Sequence, residues 1–508
     1  MSKKSLFCIL IFIFSFFIFL GLLYYVEVID VRTDIKDVRF ISGDKKIEIK
    51  WIPSKCKDVE NVVLEVQGNK EVKTYLLSKK DTYFDFTDGE YGDCFHFILY
   101  VCYKDGSMGK NYRADRIMLD MDKFPDLPLL DVSTDDFEDP EYDVVKKEKD
   151  IYLGETITNN DYKEATASYN IDGTKVEDIS LKIKVRGNTS TVHRDKKSYK
   201  IKLDEKMNML DLSGKGHKDR TWILLNSGEN LNTHLGCKVS KFLNMNWSPK
   251  CRYVNVFVNG DYKGIYVLIE SVEKAEDKID ITDNGYIFEN DAYFWAEDKY
   301  FKIKNQEKNI GYTFVYPKDE DITADDINNM GTYMNYLEEK FIWGDDDIYD
   351  YIDEKSFAKW VLVRDVLGQY DVRGSNVYYY LYDFDNEDYT KFKLRMGPVW
   401  DFDSLYIKQS EWSDQHNDDQ IFFAYLFKDE YFSDVYKKEW LQVKNTIEKE
   451  VSDYMDEILN DDAEAINDSR WLNSKRWGIT NYKTIETEVE INKNWFDKRI
   501  EWLDEKIK

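Results

Sequence analysis

Asp371-Val-Arg-Gly-Ser-Asn376, the aromatic run Val377–Tyr382, the polar turn Asp383–Asp388, the run Lys391–Met396 and the close Gly397-Pro-Val-Trp-Asp401-Phe-Asp403 decide the reading of this chain. Upstream, Phe357, Trp360, Val361, Val363 and Leu367 recur near helical spacing. The order is therefore a helix, a loop carrying Asp and Asn, two strands, and an Asp just past the second strand.

That order suits phosphoryl transfer. The reaction needs a carboxylate to orient an attacking hydroxyl, and hard oxygen ligands for a divalent cation that bridges the phosphates. Protein kinases arrange their catalytic loop and metal-binding Asp in this sequence of elements. On this reading Asp371 is the base, Asn376 and Asp401 are metal ligands, and Asp403 is a further ligand. An acidic turn after an edge strand is the plain alternative for Trp400–Asp403.

Around this stretch the chain has 508 residues and a net charge of −27. The length predicts more than one folded unit. The acid excess argues against a nucleic-acid partner, since phosphate backbones need a basic footprint. It suits a basic protein substrate, or serves solubility.

Leu6–Val26 is an uncharged apolar run. As a helix it spans about 30 Å, enough to cross a bilayer. Lys3 and Lys4 precede it; Glu27 and Asp30 follow. The charge asymmetry predicts a single-pass membrane anchor with a cytoplasmic N-terminus and the bulk of the chain extracellular. A cleaved signal peptide is the alternative. Five cysteines then face an oxidising side: Cys56, Cys94, Cys102, Cys237 and Cys251. Pairing of Cys56 with Cys94 or Cys102, and of Cys237 with Cys251, is compatible with the sequence.

Residues 31–122 alternate short strand-like runs with turns, among them Lys46–Trp51, Val62–Val66, Lys73–Leu77, Phe95–Cys102 and Ile117–Leu119. This predicts a small β-sandwich of fibronectin type III or immunoglobulin-like type, with Trp51 and Tyr100 in its core. Pro125 and Pro128 mark a join near Lys123, and an acidic stretch Asp131–Asp143 follows.

In residues 123–508, Ile179–Val185 and Ser198–Leu203 read as strands flanking the polar loop Arg186-Gly-Asn-Thr-Ser190. Alternation puts Lys200 and Lys202 on one face; one of them, or Arg186, is a candidate for phosphate contact. Tyr253–Val258 and Tyr262–Glu270 form a hairpin through Asn259-Gly260, and Glu270 ends an apolar strand, where a carboxylate needs a partner or ligand. Helices are expected over Leu231–Leu243, Ile322–Glu339, Gln420–Leu426, Tyr431–Leu459 and Thr480–Ile507.

Three segments together resemble the spore-coat protein H (CotH) kinase family: Arg186–Ser190 with Lys196–Leu203, Val256–Glu270, and Asp371 with Asn376 followed by Gly397–Asp403. The resemblance spans about Leu127–Lys508. It implies an α+β, two-lobed atypical protein-kinase-like domain, here preceded by a transmembrane helix and a small β-sandwich. It further implies use of ATP with Mg²⁺ or Mn²⁺ to phosphorylate Ser or Thr of secreted, surface or spore-coat proteins, the substrate being basic and Ser-rich. By motif position Asp371 is catalytic, Asn376, Asp401 and Asp403 serve the metal, and Arg186, Lys200, Lys202 and Glu270 are nucleotide-side candidates. The family namesake has neither anchor nor sandwich. A catalytically silent kinase-like scaffold and an adhesion or cell-envelope protein are the competing readings.

Overall fold

The computed structural model describes residues 33–68, 71–148, 153–211, 218–304, 311–344, 346–369, 376–402 and 422–507. The apolar run Leu6–Val26 lies outside them; among the described residues no helix is long and apolar enough to cross a membrane. Contacts divide the chain into two compact units, residues 1–123 and 124–508.

Among the described residues the first unit has seven strands: β1 (Lys36–Gly43), β2 (Lys46–Ile52), β3 (Val59–Gln67), β4 (Val72–Ser78), β5 (Tyr83–Phe86), β6 (Cys94–Tyr103) and β7 (Tyr112–Ile117). They form a three-stranded sheet, β1-β2-β5, and a four-stranded sheet, β4-β3-β6-β7. Alternating residues from both sheets fill one core, as in a β-sandwich. Phe97 meets Phe40 at 5.9 Å and Phe86 at 5.5 Å across it. Trp51 is buried there as expected, but Tyr100 is not. Its neighbours Leu99 and Val101 take the inward positions of β6, so Tyr100 faces out and donates to Glu65 at 2.9 Å. Cys56 and Cys102 are free thiols. His96 pairs with Asp115 at 2.8 Å on the surface.

The second unit opens with β8 (Leu129–Thr134), β9 (Asp143–Glu148), β10 (Leu153–Thr158), β11 (Lys163–Ile171), β12 (Thr174–Arg186), the short helix α1 (Thr189–His193), β13 (Ser198–Met207), β14 (Asp219–Leu225), α2 (Asn232–Phe242), β15 (Cys251–Val258) and β16 (Asp261–Glu270). Seven of these strands close a barrel in the order β11-β12-β13-β14-β16-β15-β8. Its interior is a continuous apolar cluster including Leu130, Val132, Ile183, Ile201, Trp222 and Leu268. The acidic stretch Asp131–Asp143 thus begins within a barrel strand. Leu130 and Val132 alternate inward while Asp131 and Ser133 alternate outward, and β8 pairs in parallel with β15.

The chain continues through β17 (Tyr286–Asp291), β18 (Tyr300–Phe301), β19 (Gly311–Tyr316), α3 (Ala324–Trp343), α4 (Glu354–Leu367), β20 (Val377–Leu381) and β21 (Arg395–Val399). It ends with α5 (Phe423–Leu426), α6 (Glu430–Val443), α7 (Ile447–Trp477) and α8 (Ile485–Lys506). The C-terminal half is therefore mixed, not purely helical: β18-β19-β17-β20-β21 form a five-stranded sheet. The run expected as one helix from Tyr431 to Leu459 is broken at Lys444–Thr446, and its second part extends to Trp477. The second strand of the decisive stretch starts at Arg395, because Asp388 caps a short turn at Tyr389–Lys391 through Thr390.

Helix α7 locks onto the barrel. Arg476 grips Asp261 at 2.8 and 3.1 Å, Lys263 meets the same carboxylate at 2.9 Å, and Trp477 donates to the Lys263 carbonyl at 2.9 Å. Gly264, at φ +102°, leaves the space that Asn473 fills; a Cβ there would strike the Asn473 amide. Val256–Glu270 is thus largely a packing element.

Candidate active site

Helix α4 sets the position of the site. It ends at Gly368 in the left-handed region, which turns the chain and buries Gln369. The Gln369 amide donates to the carbonyls of Trp400, at 3.4 Å, and Asp401. One turn back, Arg364 lies over the Trp360 ring at 3.9 Å and donates to the Asn376 carbonyl at 3.2 Å. One helix therefore holds the backbone on both sides of the decisive stretch.

Asn376 and Asp401 meet. The Asn376 side-chain amide donates to the Asp401 carboxylate at 3.1 Å. Both residues have left-handed backbones, φ 63° and 57°. Such conformations cost energy for residues other than Gly, although Asn and Asp tolerate them best, and they concentrate at functional sites. Here they aim two polar side chains, from the start of β20 and the end of β21, at one point. Asp371 and Asp403 lie outside the described residues.

A third carboxylate joins the pair. Glu289, on the central strand β17, accepts the Asn376 backbone N–H at 2.9 Å. Burial raises its pKa, against the pull of the Asn376 N–H, Tyr378 and Arg186. Asp291, one pleat along, is raised to about 7 by burial and by Glu289.

The opposing wall is cationic. Lys184 on β12 and Lys200 on β13 are direct register partners. Like charges placed opposite each other are unfavourable. Burial, with Lys318 and Lys184 next, lowers Lys200 to about 8, and burial lowers Lys184 as well. Arg186, at the end of β12, is close enough to act on Lys200, Glu289 and Tyr378. The loop after it turns at Gly187, φ +109°, where a Cβ would collide with Thr191. Thr189 of α1 then hydrogen-bonds the hydroxyl of Tyr293, two residues past β17. The polar loop thus reaches across to the sheet that carries Glu289.

The nucleotide-side candidates separate by position. Arg186 acts on both Glu289 and Lys200, and Lys200 is half-buried opposite Lys184. Lys202, on the same face of β13 as Lys200, is exposed and sits in register between Lys182 and Thr221. Glu270 is buried and accepts the Lys250 backbone N–H at 2.8 Å, closing the β15–β16 ladder. Lys196 of the same motif is also buried and holds the Ile265 carbonyl at 2.6 Å. Glu289, Lys184, Arg364 and Gln369 were not singled out from sequence. Gln369 had a signal, a polar residue directly after a Gly helix stop in an apolar run; Glu289 had none, since its role depends on pairing β17 with β20.

The donor set fits a hard divalent cation. Asn376 and Asp401 supply oxygen ligands, with Glu289 adjacent, and Mg²⁺ is usually held by one or two carboxylates together with substrate phosphates. Among the described residues no three His, Cys, Asp or Glu side chains form a metal cage by themselves.

No curated protein matches the chain. Among solved structures, the twitchin kinase region from C. elegans (Fn31-NL-kin-CRD-Ig26) aligns over 93% of this chain and 71% of its own, at 9% identity and a TM-score of 0.18, a likeness too low to carry an argument. The CotH kinase protein family matches residues 183–503, more than half of the chain. That span contains both walls of the cleft and the Asn376–Asp401 pair, and the chain belongs to the CotH kinase protein family.

Proposed function

We propose that this chain is a membrane-anchored extracytoplasmic kinase that transfers the γ-phosphate of ATP to Ser or Thr of secreted, surface or spore-coat proteins. The observation that carries the reading is the Asn376–Asp401 contact at 3.1 Å, directly after the loop that contains Asp371. A bound Mg²⁺ or Mn²⁺ would offset the charge of the phosphates. Asn376 and Asp401 would hold it, and Asp403 is placed by sequence to assist. Asp371 accepts the proton of the substrate hydroxyl. Lys200, Lys184 and Arg186 bind the polyphosphate, whose charge offsets the repulsion between the opposed lysines.

The anchor is Leu6–Val26, with the N-terminus cytoplasmic. The sandwich acts as a fibronectin type III-like spacer; its three-plus-four strand division supports that assignment. A basic, Ser-rich protein is the favoured substrate class, given the net charge of −27.

The test is incubation with ATP, Mg²⁺ or Mn²⁺ and a basic Ser-rich protein, read by intact mass for gains of about 80 Da per phosphoryl group. Asp371→Asn and Asp401→Ala are each expected to abolish the gains. Wild-type protein that adds no phosphate yet is stabilised by nucleotide and metal would replace this reading with the silent scaffold.

A further inference from the structure

We propose that Cys237 and Cys251 are a disulfide-forming pair whose oxidation fixes the support beneath Asp401. Cys237 lies on α2 and Cys251 opens β15; both pack in the same apolar core, and each thiol is close enough to act on the proton of the other. Both are free thiols. Cys251 is half-buried, and Cys237 is buried. His234, one turn before Cys237, stacks on Tyr253 at 4.2 Å and reaches the Tyr454 hydroxyl at 3.1 Å. Cys237 and His234 favour loss of the Cys251 proton, whereas Cys237 itself is held protonated by its partner and by burial.

The chemistry follows from this asymmetry. The Cys251 thiolate attacks a small-molecule disulfide such as glutathione disulfide and displaces one thiol. Cys237 then loses its proton, attacks the Cys251 sulfur and displaces the second thiol. The protein gives up two protons and two electrons, and glutathione disulfide is reduced to two thiols.

What the bond would hold is specific. Gly236, next to Cys237, lies so close to the Phe402 ring that a Cβ there would overlap it. Phe402 directly follows Asp401. The residues between the two cysteines include Met245, whose methyl lies 2.9 Å from where a Cβ on Gly397 would stand, and Asn244, whose carbonyl accepts from Lys359 at 3.0 Å. A bond across Cys237 and Cys251 therefore closes a loop that touches both β21 and α4. The link to metal binding depends on the kinase reading; the bond does not.

The full chain is equilibrated with glutathione disulfide under native conditions and analysed by intact mass and non-reducing peptide mapping. The expected result is a loss of about 2 Da with a Cys237–Cys251 peptide pair. The pair is absent in Cys237→Ser and in Cys251→Ser, and retained when Cys56, Cys94 and Cys102 are replaced by Ser. Amide exchange over residues 399–402 is expected to slow on oxidation, a readout that needs no kinase activity. A stable glutathione adduct on Cys251 without the cross-link, or a cross-link that forms only in denaturant, would overturn the proposal. Unchanged exchange over 399–402 in the cross-linked protein would overturn the coupling to Asp401.

Discussion

Gly236→Ala tests whether the placement of Asp401 depends on α2. A Cβ at residue 236 would stand 2.2 Å from the Phe402 ring, far below the 3.0 Å limit of real Cβ contacts. Gly236 is buried within a helix that packs into the main core, so the ring must retreat by roughly 1 Å. Overpacking of this kind costs about 1–3 kcal/mol. Phe402 is bonded to Asp401, whose carboxylate sits 3.1 Å from Asn376. A shift of roughly 1 Å in a metal ligand can lower turnover about 100-fold. The assay is phosphorylation of a basic Ser-rich protein at varied ATP and Mn²⁺, with thermal unfolding alongside. We expect kcat to fall by about 10- to 100-fold while most of the protein remains folded at the assay temperature. Phe402→Leu in the Gly236→Ala background removes ring atoms and should restore part of the loss, giving a non-additive cycle. Wild-type kinetics in Gly236→Ala, or strict additivity with Phe402→Leu, would refute the reasoning.

Three further outcomes follow from the cleft and its support. Lys200, lowered to about 8 by burial and neighbouring cations, is charged below that pH and neutral above it. ATP affinity should therefore be nearly level up to about pH 7.5 and fall about tenfold by pH 9; Lys200→Arg should flatten the profile in an equilibrium binding titration. Glu289→Gln keeps an oxygen for the Asn376 N–H, whereas Glu289→Ala removes it, so the Ala variant should raise the metal concentration for half-maximal activity by about tenfold and the Gln variant by less. Asp261→Ala leaves Lys263 and Arg476 without their shared buried carboxylate, and should cost about 3–5 kcal/mol of stability by urea unfolding.

The parts legible in sequence are those whose signal is local. Helix α4 shows its apolar spacing, the Asn259-Gly260 turn announces its hairpin, and the order of Asn376 and Asp401 about two strands survives without any knowledge of packing. The parts that were not legible depend on distant partners. Strand β8 hides in an acidic stretch because only its pairing with β11 and β15 makes Leu130 and Val132 interior residues. Tyr100 looks like a core aromatic until the pleat assigns the inward positions to Leu99 and Val101. Glu289 is one acidic residue among many until β17 aligns it with Tyr378 of β20 and brings it to the Asn376 N–H. Lys200 reads in sequence as a candidate for phosphate contact, and only its register with Lys184 makes the two an opposed, half-buried pair.

That opposition explains why the barrel face and the sheet belong to one site. Two lysines across a ladder cost stability in the empty protein, and the carboxylates Glu289 and Asp291 on the other wall are themselves raised by burial. Arg186 acts on both Lys200 and Glu289 and so links the two walls. On the proposed function, a polyphosphate with a divalent cation would answer both walls, the lysines holding the anion and Asp401 and Asn376 the cation. A bare anion would answer only the first wall, and a bare cation only the second. Binding of nucleotide and metal is therefore expected to be strongly cooperative, each raising affinity for the other, and Lys200→Gln should weaken that coupling more than it weakens binding of the metal alone.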